Sequence, residues 1–122
     1  SFIQYTYARI RSILRKAAED GIVIPNALPD TTSISEKEEN LIQSVADFAA
    51  TVKEAGNEYS PALIANYIYD MAKEYNQFYH DFSILHEEDE ALKAFRLVLS
   101  SNVAKVIKSG TALLGMEVPE RM

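Results

Sequence analysis

Between Leu92 and Leu113, the residues Leu92, Phe95, Leu99, Val103, Val106, Gly110 and Leu113 recur three or four positions apart. That period is one face of an α-helix of about six turns. A stripe of this length must be covered by other helices, which constrains the chain to a helical bundle. Gly110 lies inside the stripe. Gly costs roughly 1 kcal/mol against Ala within a helix, so another element is expected to pack closely there. Lys93, Arg96, Lys105 and Lys108 surround the stripe. Arg96 and Lys105 are nine residues apart and half a turn out of phase, so at most Lys105 and Lys108 act together. Leu114-Gly115 closes the helix, and a tail carrying Pro119 runs from Met116 to Met122.

Three further segments read as helices. In residues 2–19, Ile3, Tyr7, Ile10, Leu14 and Ala17 alternate spacings of four and three, and Asp20-Gly21 ends the run. The pattern is already under way at Phe2 without a suitable cap, so the chain is expected to start inside a helix of a longer protein. Residues 21–35, with Pro25, Asn26 and Pro29, form a weakly constrained connection. Ser35 and Glu38 make a capping box ahead of Leu41, Val45, Phe48 and Val52, and the helix is expected to end at Ala55-Gly56. Glu38, Glu39, Asp47 and Glu54 are assigned to its solvated face. Ser60-Pro61 starts the next helix. Its core stripe is Ile64, Ile68, Met71, Tyr75, Phe78 and Phe82, with Tyr69 and Tyr79 lying off it. Glu87 to Glu90 oppose the positive end of the last helix. The fold class is therefore all-α, an antiparallel bundle of about four main helices in a single domain over residues 1–122.

Without cysteine, disulfides, thiolate metal sites and cysteine nucleophiles are excluded. No apolar run approaches the roughly 18 residues needed to span a bilayer. No signal peptide is recognised at the start, and a cytoplasmic, non-membrane protein is expected. His80 and His86 match no helical metal-ligand spacing, so no metal site is assigned. No Gly-rich phosphate loop, no nucleophile elbow and no carboxylate in an apolar context is found, so no catalytic residue is assigned.

The net charge of −6 hides a strong polarity. Residues 1–18 carry Arg9, Arg11, Arg15 and Lys16 without an acid, whereas residues 19–90 carry three lysines against sixteen acids. Such blocks mark a partner surface or two solvated faces. On the first helix Tyr5, Arg9, Ser12 and Lys16 make a second stripe. An aromatic with cations on one face suits single-stranded RNA, by base stacking and phosphate attraction. It also suits an ordinary wet face. Tyr79 is the second candidate platform.

Specific motifs narrow this choice. Gln4-Tyr5-Thr6-Tyr7-Ala8-Arg9-Ile10-Arg11-Ser12 has the form Q-Y-x-x-x-R-x-x-S. Leu113-Leu114-Gly115-Met116-Glu117-Val118-Pro119-Glu120-Arg121-Met122 has the form L-L-G, a hydrophobic residue, then P-x-R-M. Asn76-Gln77-Phe78-Tyr79 and Phe95-Arg96-Leu97-Val98-Leu99 lie between them. Together these resemble, over essentially the whole chain, the C-terminal anticodon-binding domain of arginyl-tRNA synthetases, the DALR type. The resemblance implies a bundle gripping the anticodon loop of tRNA(Arg), with RNA and not DNA as the partner. It implies base stacking by Tyr5 and Tyr79, phosphate or base-edge contact by Arg9, and apolar contact by Met122 from a tail held by Arg121. Arg11 and Asn76 are lesser RNA-binding candidates. Tyr7 stands where some members have His, and its place on the core stripe keeps it from an RNA role. The chain would be a fragment of a class I arginine–tRNA ligase and pack against that enzyme's catalytic core. The H-I-G-H-like and K-M-S-K-S-like motifs are absent here, so no cofactor is assigned to the fragment, and ATP and Mg are implied for the parent enzyme. Two alternatives stay open: the related domain of the glycyl-tRNA synthetase β subunit, and a helical protein–protein module using the acidic helices.

Overall fold

The computed structural model describes residues 1–30 and 33–122. Four helices account for the regular structure of the described residues: α1 (Phe2–Glu19), α2 (Glu36–Glu58), α3 (Pro61–Asp81) and α4 (Glu90–Leu113). Helices α1 and α2 each pack on both α3 and α4, and among the described residues they do not touch one another. Paired residues give the directions. Tyr67 meets Ser44 and Lys37 meets Asp81, so α2 and α3 are antiparallel. Tyr75 meets Ser100, and Phe82 meets Arg96, so α3 and α4 are antiparallel as well. Phe2 meets Tyr69 and Arg9 meets Asn76, so α1 runs parallel to α3. The result is an up-down-up-down bundle, and no helix is long and apolar enough to cross a membrane.

The expected stripes form the core, with Ile10, Leu41, Ile68, Met71, Tyr75 and Phe78 essentially inaccessible. Helix α4 is buried over more than one face: every residue from Phe95 to Ser100 is buried. The expected close approach at Gly110 is present. A Cβ built there would lie 2.3 Å from Ile68 Cδ1, so a larger residue would force the Ile68 side chain to move.

Several details differ from the sequence reading. Ser1 does cap α1, because its hydroxyl accepts from Gln4 N and the Gln4 side chain accepts from the Ser1 amine. Helix α2 continues past Gly56 to Glu58, and the left-handed residue is Tyr59, at φ 54°. The stop is imposed by Pro61, which pushes Ser60 out of helical geometry to φ −117°. Leu113, assigned to the core stripe, is 58% exposed because the helix ends beside it.

Glu38 and Arg96 are the largest correction. Glu38 was assigned to a solvated face and Arg96 to the surroundings of the apolar stripe, yet they are 1% and 6% exposed. Arg96 Nε donates to Glu38 Oε1 at 2.8 Å, while its Nη1 donates to Glu87 at 3.0 Å and to the Ser83 carbonyl at 2.9 Å. The guanidinium also sits 4.8 Å from the Phe82 ring centre. Burial alone would push the Glu38 carboxyl up. Hydrogen bonds from Arg96 and from Ser35, together with the Arg96 charge, outweigh it and hold the carboxyl below its ordinary value. This buried network ties α2 and α4 to the connection after α3, and so fixes the end of α3 that carries Tyr79.

Candidate nucleic-acid interface

Helix α1 places Tyr5, Arg9 and Ser12 on one face at spacings of four and three. That face looks towards the end of α3, where Tyr79 is half-buried. Between the two rings stands Arg9, its guanidinium carbon 4.9 Å from the Tyr5 centroid and 4.2 Å from that of Tyr79. Its Nη2 donates to Tyr5 Oη at 3.0 Å, and its Nη1 donates to Asn76 Oδ1. Asn76 is in turn fixed, with Nδ2 donating to Thr6 Oγ1 at 2.8 Å and to the Ala72 carbonyl at 2.7 Å. A cation held between two aromatic faces gains from both ring quadrupoles and loses little freedom when a ligand arrives.

The tail closes the other side. Gln4 Nε2 donates to the Glu117 carbonyl at 2.9 Å. Arg11 Nε donates to Glu120 Oε2 at 2.9 Å, and Arg15 Nη1 donates to the Glu120 carbonyl at 3.0 Å. The Arg11 guanidinium beside Glu120 is the main cause holding that carboxyl below its ordinary value. So anchored, the tail brings Arg121 and Met122 over the α1 face. Tyr5, Arg9, Arg15, Tyr79, Arg121 and Met122 line one open cleft of about 460 Å³. Tyr5 and Met122 are 48% and 72% exposed, so two π faces, an apolar terminus and three guanidinium groups meet where a flexible anionic strand could enter. That combination suits unstacked bases and phosphates. Unpaired bases have π faces of any sequence, so the cations and the tail must supply orientation.

Of the residues singled out from sequence, Tyr5, Arg9, Tyr79, Arg121 and Met122 come together. Asn76 is 9% exposed and lies behind Arg9, so it orients the cation and does not itself line the cleft. Arg11 faces away from the cleft and grips Glu120. The tail is therefore held by Arg11, Arg15 and Gln4, and not through Arg121. Thr6, Arg15, Gln4 and Glu120 were missed. Three of them lie inside the quoted motifs, but nothing in a linear pattern shows that the two ends of the chain pair. His80 and His86 stay apart from the cleft, and among the described residues no group of three or more His, Cys, Asp and Glu could hold a metal ion.

The chain is similar to known proteins along nearly its whole length. The arginine–tRNA ligase of Parabacteroides distasonis is 75% identical over 121 residues, covering 99% of this chain and 20% of that protein. That of Bacteroides thetaiotaomicron is 70% identical over the same shares. The chain thus spans about a fifth of the length of the curated relatives it matches. Among solved structures, arginyl-tRNA synthetase of Thermus thermophilus superposes with a TM-score of 0.86 at 32% identity, over 99% of this chain and 21% of that one. A protein from Campylobacter jejuni described as an arginyl-tRNA synthetase shares the fold with a TM-score of 0.82 at 23% identity, covering 99% of this chain and 26% of its own. The family model for the DALR anticodon binding domain matches residues 3–122, and the chain belongs to that family.

Proposed function

We propose that this domain recognises the anticodon loop of tRNA(Arg) on behalf of an arginine–tRNA ligase. The supporting observation is the meeting of Tyr5, Arg9, Tyr79, Arg121 and Met122 around one cleft, from three separate parts of the chain. Loop bases leave their stack and lie against the exposed faces of Tyr5 and Tyr79. Arg9, already oriented by Asn76, presents a fixed charge to a base edge or phosphate. Arg15 and Arg121 attract the backbone, and Met122 covers the apolar side of a base. Because Arg9 is held before RNA arrives, less side-chain freedom is lost on binding.

The parent protein, on this reading, is cytoplasmic and joins arginine to tRNA(Arg) at the expense of ATP. ATP and Mg belong to its catalytic core, against which this domain packs, since the class I signature motifs are absent from this chain. The domain itself binds and does not aminoacylate. Tyr79→Ala tests the stacking step. Base–aromatic stacking contributes about 1–3 kcal/mol per base, so binding of tRNA(Arg) should weaken by about 5- to 150-fold. Tyr79→Phe should keep most of the affinity. Unchanged binding by the alanine variant would remove Tyr79 from the site.

A further inference from the structure

The pair Lys105 and Lys108 on α4 has no part in the cleft. Both are exposed, and neither has an ion-pair partner among the described residues. Lys105 borders a second depression of about 300 Å³ between α1, α4 and the first connection, whose polar lining is Arg11, Arg15, Asn26, Ser101, Asn102 and Lys105, beside four apolar residues. A smaller hollow beside it carries Arg11, Lys105, Lys108 and Glu120. Arg15 lines both this depression and the Tyr5–Tyr79 cleft, so the two adjoin at that side chain. The basic residues come one helical turn apart, Arg11 to Arg15 on α1 and Lys105 to Lys108 on α4. Among the described residues the one acid lining this surface is Glu120, which is bound to Arg11.

We propose that this α1–α4 surface carries the sugar–phosphate backbone of the same RNA as it leaves the cleft. The proposal rests on the anticodon-loop reading above and extends the footprint by a second, sequence-independent surface. Its chemistry favours nucleic acid over a protein partner. The polar part of the lining is cationic and amide- or hydroxyl-bearing, and among the described residues no exposed aromatic lines it to act as a buried anchor for a protein interface. Lys and Arg meet phosphates, while Ser and Asn side chains reach phosphate and ribose oxygens. Phosphate contacts set position and register without reading sequence. The cleft and the strip therefore divide the work: the cleft discriminates between bases, and the strip supplies attraction common to any tRNA.

The test is a tRNA(Arg) titration of the 122-residue chain and of its Lys105→Ala/Lys108→Ala variant at several salt concentrations. Each neutralised phosphate contributes roughly 0.7–0.9 to the slope of log affinity against log salt. The double variant should flatten the slope by about 1.4–1.8 and weaken binding near 0.1 M salt by on the order of tenfold. The loss should be the same for tRNA(Arg) and for the same tRNA with an altered anticodon base. Lys105→Arg/Lys108→Arg should restore the slope. Unchanged slope and affinity in the alanine variant, with Tyr79→Ala still impaired, would overturn the strip and leave the cleft intact. A loss confined to one anticodon sequence would overturn it too, since phosphates carry no such information. If the unaltered chain binds no tRNA, both readings fall, and an acidic protein becomes the partner to seek.

Discussion

Asn76→Ala separates the residue that orients the cleft's cation from the cation itself. The substitution removes three hydrogen bonds, to Arg9, Thr6 and the Ala72 carbonyl. Thr6 Oγ1 keeps its bond to the Phe2 carbonyl, and the Ala72 carbonyl keeps its place in the α3 ladder, so neither is orphaned. The stability loss is then that of one or two net hydrogen bonds, about 1–3 kcal/mol. A domain of this size tolerates that loss and stays folded. Arg9 remains between Tyr5 and Tyr79 but regains rotamer freedom. Immobilising such a side chain costs about 0.5–1.5 kcal/mol on binding, which is roughly 2- to 12-fold in Kd. Fluorescence titration with tRNA(Arg), beside a thermal melt, measures both effects. On an Arg9→Ala background, Asn76→Ala should no longer affect RNA affinity, because its effect passes through Arg9. A folded Asn76→Ala protein that loses affinity on that background as well would mean that Asn76 touches RNA directly. No loss in either background would mean that Arg9 needs no orienting.

Three further outcomes follow from the structure. Glu38 is held below its ordinary carboxylate value in the folded state, so its pairing with Arg96 stabilises fully above the unfolded value near pH 4.5 and is lost as pH falls through the lower folded value. The stability gap between the native protein and Glu38→Gln, followed by urea unfolding, should be flat from pH 7 to about 5 and shrink below about 4.5; a gap that widens on acidification would contradict the sign. Gly110→Ala gains about 1 kcal/mol of helix propensity but drives a Cβ to within 2.3 Å of a fully buried Ile68, where overpacking costs roughly 1–3 kcal/mol. The expected net change is a lower Tm, and a higher one would show that Ile68 yields freely. Deleting Arg121 and Met122 leaves the Gln4, Arg11 and Arg15 anchors in place, so the Tm should hold while tRNA affinity drops; a collapse of the helical signal would make the tail end structural.

The bundle was legible because amphipathic helices announce themselves. The stripes of α1, α3 and α4 each run at a period that only a helix can bury, and Ser35-Glu38, Pro61 and Gly115 mark ends by local chemistry. Gly56 misled because a glycine permits a helix to stop without obliging it to; Pro61 obliges it. Glu38 and Arg96 misled for a different reason. A charge on a helix looks solvated until its partner is known, and here the partner lies 58 positions away. The same distance problem hid Asn76 behind Arg9 and gave the tail's anchoring to Arg121. The stripe of Tyr5 and Arg9 was visible as an aromatic with cations on one helix face, a pattern that an ordinary wet face shares, and Tyr79 as an aromatic off the core stripe; family resemblance joined them into one site. Their meeting with Met122 was implied by family resemblance, since no periodicity links residue 5 to residue 122.

The central claim is that the Tyr5–Arg9–Tyr79–Met122 cleft reads the anticodon loop. Titrating the 122-residue chain with tRNA(Arg), and with the same tRNA altered only at the central anticodon base, tests it most directly. A well-formed contact to one base contributes about 1–3 kcal/mol of discrimination, so the altered tRNA should bind on the order of tenfold more weakly, or worse. Equal affinity for both tRNAs, or no binding of either at low salt, would contradict it.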